Sequence, residues 1–420
     1  MRSQLASHKD SVLAAWRERA TQSVVSHQAA HWQRALWFLH QSNPESAAYN
    51  VLFSARVRSA VDLPALRRSF QALVDRHATL RTTFQEASNL LVQQVHGYMS
   101  VCFTAHDRPG VDLSALKKEI YETSQAPFDL QNGPLMRIDL FSRAVDDQIL
   151  LVTLHHIAAD GWSLFLLLDD LRRLYPAERD GGASPPQRPV CDILQHTQWQ
   201  ETMLAGPEGQ EHEAYWLSKL AGVLTPLSMP TDRPRQVSLS NRGASLPIDL
   251  GGELSKAIRN LAAREGVTPF VVLLAAYQVL LHRYTGQQEV IVGTPAYGRD
   301  RAEFADVVGY LINMIPLKAG FADDPPFREL LARMRKAVAE GIQHQDYPFP
   351  LLVEKLQPDR DFSRTPVFQT VFILQRFKQV EGLEDFFTHK GTDARTKFGG
   401  LLLESFPIPQ LEVNLSYPSS

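Results

Sequence analysis

Two cysteines in 420 residues, Cys102 and Cys191, are too few for a disulfide framework. They stand far apart with no metal-ligand spacing around either, which argues against a structural zinc site, and nothing marks one as a nucleophile. Basic charge is in no excess: 43 Lys and Arg against 46 Asp and Glu leave a net charge of −3. Without a basic stripe, nucleic acid is not an expected partner. Long hydrophobic runs are missing as well. The longest, "FVVLLAAYQVLL" (Phe270 to Leu281), falls short of a bilayer span and predicts a helix buried on all sides. No membrane association is expected. The N-terminus lacks an apolar signal core and a cleavage site, so the default location is cytoplasmic. A GxSxG nucleophile elbow and a glycine-rich phosphate loop are both absent, which removes two common catalytic designs.

What is present has the profile of a globular protein with a substantial core, 44% hydrophobic and 21% charged. Residues 1–22 read as a polar linker helix. "VDLPALRRSFQALVDRH" predicts a helix, capped by Asp62 with Pro64 in its first turn. Leu63, Leu66, Phe70, Leu73 and His77 share one face. "PLMRIDLFSR", a turn at Asp146 and Asp147, and "QILLVTLHH" predict a strand–turn–strand, followed by a helix capped at Ser163. The Gly/Pro/Ser-rich stretch at 181–189 separates a first half, 23–180, from a second, 190–420. The second half predicts helices at 253–265, 269–284 and 326–343, with strands around 289–294, 310–318 and 367–374. Phe327, Leu330, Leu331, Met334, Val338 and Ile342 recur at helical spacing in the last helix, behind Pro326. "LEVNLSYPSS" reads as a strand cut short. "DLGGELS" (Asp249 to Ser255) reads as a helix N-terminus.

The stretch with most chemical content is "LHHIAADGWS", Leu154 to Ser163. At the end of a strand, His155 and His156 point to opposite faces, so one can meet a reaction site while the other packs into the fold. Diverging rings with no third ligand nearby do not make a zinc site, and no metal is expected. Two roles stay open for Asp160: orienting an imidazole, or pairing with an arginine elsewhere to hold the loop. A histidine without a protein nucleophile is suited to acyl transfer in which the nucleophile arrives with the substrate.

These residues resemble the signature of condensation domains of nonribosomal peptide synthetases, relatives of chloramphenicol acetyltransferase. "HHIAADG" is joined by "RHATLRTTF" (Arg76 to Phe84) and "VVGYLINMIPL" (Val307 to Leu317). "HQDYPFPLL" (His344 to Leu352) and "RDFSRTPVFQTVF" (Arg360 to Phe372) follow in the family's order. Two places depart from the pattern: "AHWQRALWFL" has Ala30 where a serine is usual, and "CDILQHTQW" alters a tyrosine–aspartate stretch before a tryptophan.

The resemblance implies an α/β (α+β) fold of two acetyltransferase-like lobes, a V-shaped pseudo-dimer with a central tunnel. It places His156 at the catalytic position and His155 at a structural one. Asp160 maps to an aspartate paired with an arginine, here Arg299, and Gly161 to a position that keeps the thioester approach open. Trp162, Ser163 and Asn313 map along the substrate tunnel, while Arg76, His77, Arg81, His344 and Asp346 read as structural. The implied function is transfer of a donor acyl or peptidyl thioester to the α-amine of an acceptor aminoacyl thioester. Both substrates would ride on the 4′-phosphopantetheine of upstream and downstream carrier domains, with no cofactor bound by the domain itself. The excised domain is expected to be monomeric. A starter domain using fatty acyl-CoA and a non-catalytic domain that recruits a tailoring enzyme remain alternatives. "WSLFLLL" argues against an epimerisation domain, and the intact histidines against a cyclisation domain.

Overall fold

A computed structural model describes residues 23–182, 191–222, 224–232, 246, 248–357, 364–375, 395–407 and 415–416. The expected helix at 1–22 and most of the break at 181–189 lie outside the described residues. The elements run β1 (Val24–Gln28), α1 (His31–Ser42), β2 (Asn50–Val57), α2 (Leu63–Arg76), β3 (Thr82–Ala87), β4 (Leu90–His96) and β5 (Cys102–Asp107). They continue with α3 (Leu113–Ser124), β6 (Met136–Ala144), β7 (Asp147–His155), α4 (Gly161–Asp180), α5 (Ile193–Ala205) and α6 (Pro207–Lys219). Then come β8 (Ile248–Asp249), α7 (Gly251–Arg264), α8 (Pro269–Thr285), β9 (Glu289–Ala296), β10 (Asn313–Gly320), α9 (Phe327–Gln343) and α10 (Phe349–Leu356). The last strands are β11 (Arg395–Phe398), β12 (Leu401–Ser405) and β13 (Leu415–Ser416).

Two compact units emerge, and they do not follow from a single cut in the sequence. The first takes the described residues of Met1–Gln198, Arg299–Leu311 and Phe377–Ile408. The second takes those of Trp199–Gly298, Ile312–Arg376 and Pro409–Ser420.

The first unit is built on a six-stranded sheet of order β11-β12-β2-β7-β6-β5, antiparallel except for the β5–β6 pair. β7 is an inner strand, buried from Gln148 to His155. That explains why its sequence is a near-continuous apolar run instead of an alternation. Leu150, Val152 and Leu154 join α2 and α4 in one core, with Leu66, Phe70, Leu73, Leu167 and Leu171. Ile149 and Leu151 face the other way, against Leu116 and Ile120 of α3. Asp62 caps α2 as expected, accepting from Ala65 N at 2.8 Å. Leu63 does not join the buried face, however. It occupies the first helical position and is 39% exposed. Helix α4 starts earlier than expected, with Asp160 and not Ser163 as its N-cap. At α1, Gln33 Oε1 accepts from Ala30 N at 2.8 Å. Ala30 has no side-chain oxygen to return the bond, so only half of a capping box forms.

In the second unit, α7, α8 and α9 pack their apolar faces on the antiparallel β9–β10 pair. Val271, Val272, Leu274, Ala275 and Leu281 of α8 are core residues. The helix is not enclosed all round, because Leu280 and Tyr284 are 50% and 61% exposed. Buried Gln278 reaches Leu317 O at 3.0 Å. Phe327 and Ile342, at the two ends of α9, are likewise exposed. The strand expected at 367–374 reduces to a single bridge, Gly293 to Val371. Val367 holds φ +68°, a left-handed conformation that takes the chain out of strand geometry there. Of "LEVNLSYPSS", only Leu415–Ser416 is described, as a strand parallel to β8.

The β11–β12 hairpin turns on Gly399 and Gly400, with φ of +54° and +83°. A Cβ at Gly399 would lie 2.5 Å from Arg172 O, a backbone atom of α4. We expect Gly399→Ala to destabilise the protein by about 1–3 kcal/mol, from left-handed strain and overpacking together. Gly110→Ala meets nothing within 4 Å, although its φ is +71°. It carries the strain alone and should cost less. Urea denaturation of the two variants measures the difference.

Candidate active site

Strand β7 ends at His155, and His156 opens the turn that follows. The two rings diverge. His155 is 2% exposed, and its ring lies within 6.4 Å, centroid to centroid, of the rings of His40, Tyr49 and Phe128. Its Nδ1 accepts from Ile157 N at 3.1 Å, so the ring proton sits on Nε2. Burial pushes its pKa down to about 3, and the ring is neutral at physiological pH.

His156 keeps partial solvent access. Its backbone N donates to Tyr49 O at 2.8 Å, fixing the start of the turn. Its Nδ1 stands 2.8 Å from Ala159 O. A carbonyl can only accept, so Nδ1 carries the proton and the lone pair is left on Nε2. Tyr310 packs edge-on against the ring, with centroids 4.9 Å apart. Burial lowers the pKa of His156, opposed by the charge of Asp160 and the Ala159 carbonyl. The result is a neutral imidazole in a defined tautomer.

Behind the turn lies Asp160, 0% exposed. Its Oδ2 accepts from Arg299 Nη1 at 2.8 Å and from Leu311 N at 3.1 Å. Its Oδ1 accepts from Arg299 Nη2 at 3.0 Å and from Ser163 N at 2.8 Å. Burial alone would raise the pKa, but the Arg299 charge and these hydrogen bonds hold it below the usual carboxylate range. Of the two roles open to Asp160, the arginine pair is therefore the direct one. Arg299 continues to Val307 O at 3.0 Å, which ties the 299–311 segment to the start of α4.

The remaining expected residues divide. Gly161 is the first residue of α4, and a Cβ built on it meets nothing within 4 Å. The fold does not require glycine there. Trp162 is half-buried, packs on the core and donates Nε1–H to Ala305 O at 3.2 Å. Ser163 is 0% exposed, with Oγ 2.8 Å from both Asp160 Oδ1 and Gly309 O, so its side chain is committed inside the unit. Asn313, in the second unit, is 6% exposed. It donates Nδ2–H bonds to Gln345 O and Tyr347 O, each at 2.6 Å, and accepts from Phe349 N at 2.9 Å. It clamps the segment that begins α10. Arg76 and His77 both reach buried Asp170 of α4, at 3.2 and 2.9 Å. Arg81 donates to His96 O.

Three contributors to the site were not singled out from sequence: Tyr49, the Ala159 carbonyl and Tyr310. Tyr310 lies inside "VVGYLINMIPL", so the motif carried the signal. Tyr49 precedes a strand whose pairing with β7 no local pattern reveals. His196, in "CDILQHTQW", is 7% exposed and packs edge-on against Phe304, with centroids 4.8 Å apart. Burial and the Arg299 charge push its pKa down to about 4.

A family model described as "Condensation domain" matches residues 26–400. The chain belongs to the condensation-domain family. One of the linear gramicidin synthase proteins of Brevibacillus parabrevis is 38% identical over 350 residues, 82% of this chain and 7% of that protein. Tyrocidine synthase 2 of the same organism is 36% identical over 345 residues, 82% of this chain and 9% of that protein. The chain thus spans under a tenth of the length of these curated relatives. Among solved structures, a four-domain nonribosomal peptide synthetase bound to AMP and glycine matches with a TM-score of 0.82 at 22% identity. That match covers 94% of this chain and 30% of the other. The X-domain from teicoplanin biosynthesis matches with a TM-score of 0.81 at 25% identity, covering 92% and 83%. The mixed α/β fold expected for a condensation domain is the one observed.

Two outcomes follow. Arg299→Ala leaves Asp160 buried and unpaired, and should cost about 3–5 kcal/mol in urea denaturation. His155 and His196 are held neutral in the folded state and have ordinary values when unfolded. Below pH 6.5 the unfolded chain therefore binds more protons. Their contribution to stability is complete above pH 6.5 and is lost as pH falls, down to about 4 for His196 and about 3 for His155. Each should add a slope of about 1.4 kcal/mol per pH unit to the unfolding free energy in that window. Denaturation midpoints at pH 7, 6 and 5 test it.

Proposed function

We propose that this condensation domain forms an amide bond between two thioester-borne substrates, with His156 as the catalytic residue. The observation that carries the proposal is the Nε2 lone pair of His156, presented by a neutral ring whose Nδ1–H is anchored on Ala159 O at 2.8 Å. An acceptor α-amine, with a reference pKa of about 7.7–8.0, is partly neutral at physiological pH and can attack the donor thioester carbonyl. The new C–N bond creates a tetrahedral intermediate carrying an ammonium proton. Nε2 accepts that proton or hydrogen-bonds to it while the C–S bond breaks, and the proton ends on the departing thiolate. A strong base is not needed, and the depressed pKa of His156 suits the task.

In this reading both substrates hang on the 4′-phosphopantetheine of carrier domains, and the protein works as a monomer in the cytoplasm. The two lobes are the compact units themselves, so the halves 23–180 and 190–420 exchange segments: Arg299–Leu311, from the second half, belongs to the first unit. The open space at Gly161 is where a thioester would pass. A starter domain would use acyl-CoA in place of the upstream carrier. One observation supports a non-catalytic recruitment role instead: the teicoplanin X-domain, solved also in complex with OxyB, matches with a TM-score of 0.74 at 25% identity.

Intact-mass analysis of loaded carriers after incubation with the domain separates these readings. His156→Ala should lower product formation by about 10²–10⁴-fold, the usual contribution of a positioned acid–base group. An unchanged rate in His156→Ala rules out His156 as the catalytic residue. Gly161→Leu should keep the thermal midpoint, since the position is open, yet lose product by at least about tenfold through misplaced substrate. Product from acyl-CoA without an upstream carrier identifies a starter domain. No product with any donor, together with retention of an oxygenase from the producing strain, identifies the recruitment role.

A further inference from the structure

We propose that Glu208, His212 and Asp346 in the second unit form a binding site for a divalent transition-metal ion, for which zinc is the probe. Glu208 and His212 lie one turn apart on α6, at positions i and i+4 of one face. Asp346 follows the C-terminus of α9. One ligand atom from each residue lies within 4.8 Å of the other two.

The observation that points to a ligand is His212 itself. The residue is 6% exposed, and its Nε2 is enclosed with no hydrogen-bond partner. That atom is 3.9 Å from Glu208 Oε1, too far for a hydrogen bond. A buried polar atom left unsatisfied costs about 1–3 kcal/mol, and a metal ion removes that cost. The other side of the ring is already arranged for coordination. His212 Nδ1 stands 2.8 Å from His344 Nδ1. Only one of the two nitrogens can carry the proton. With the proton on His212, Nδ1 donates to His344 and the Nε2 lone pair faces the carboxylates. A ligating histidine commonly uses its second nitrogen in this way, as a donor to a neighbour that fixes its tautomer. His344 is held in turn, stacked on Tyr215 at 3.9 Å, while its carbonyl accepts from Trp216 Nε1 at 2.8 Å.

One imidazole nitrogen and two carboxylate oxygens are a donor set of zinc, and two negative charges neutralise a dication. Tetrahedral ligands about 2.0–2.2 Å from the metal stand about 3.4 Å from each other. The three side chains must therefore draw inward, and Glu208, with its side chain 52% exposed, has room to do so. The ion would link α6 to the turn after α9. The expectation that this chain binds no metal came from the histidine pair and the cysteines, and it did not reach these residues.

The test is calorimetric titration of zinc into chelator-stripped protein, with the thermal midpoint followed in parallel. The expected result is one saturable site per chain and a midpoint that rises with zinc concentration. Glu208→Gln and Asp346→Asn are close in shape to the originals. Both should keep the zinc-free midpoint and circular dichroism spectrum, and both should weaken zinc binding by at least about tenfold. Magnesium, which prefers oxygen ligands and sheds water reluctantly, should not compete. Two results overturn the proposal: no saturable zinc binding to the wild-type chain, or equal zinc affinity in the wild type and both variants.

Discussion

The site depends on one buried ion pair. Asp160 and Arg299 are both withdrawn from water, and each is held by the other, by the Ser163 hydroxyl and by the backbone around it. Desolvating two charges is expensive, so the pair adds little stability compared with an apolar replacement. What it contributes is position. Asp160 caps α4 and ends the turn that begins with His156, so the carboxylate fixes a helix start and a loop exit together. Arg299 brings a segment from far along the chain onto that loop, and with it Tyr310, whose ring borders the His156 imidazole.

Adjacent histidines are given different environments by the end of one strand. His155 takes the last position of β7 and inherits the burial of the sheet, with an acceptor nitrogen turned to its own chain. His156 takes the first position of the turn, where the backbone can fold a carbonyl back onto its ring. Identical side chains therefore hold their protons on different nitrogens, set by whether the nearest backbone group donates or accepts. The chemistry follows from that local choice of partner more than from the identity of the residue.

Much of this was legible in the sequence, for physical reasons that also mark where legibility stopped. The strand–turn–strand before the site and helices α7, α8 and α9 announce themselves through periodicity and capping, which are local. Different surroundings for the two rings were expected from strand alternation, but β7 ends at His155 and it is the turn opening at His156 that provides them. The start of α4 was misplaced by three residues because Asp160 and Ser163 are both good capping residues. The choice between them is settled by Arg299, well over a hundred residues away. Ser163 and Asn313 were expected along a tunnel, but their polar atoms are taken up by backbone groups of distant segments. Tyr49 was missed for a related reason, since strand pairing leaves no mark in the strand itself. The bend at Val367 likewise contradicts a valine-rich pattern that reads as extended.

The order of the six-stranded sheet has a consequence for how the chain is made. The free edge of β2 is covered by β12, about 350 residues later. At a synthesis rate of about 5–20 residues per second, that edge waits roughly 17–70 s for its neighbour on the ribosome. An uncovered strand edge is a template for wrong pairing. Arg56 and Arg58, near the end of β2, share the single carboxylate of Asp147 with Arg143, so that edge keeps a net positive charge until Glu404 arrives to offset it. The same charges that later hold the hairpin in register would, in the meantime, discourage a second nascent chain from docking there.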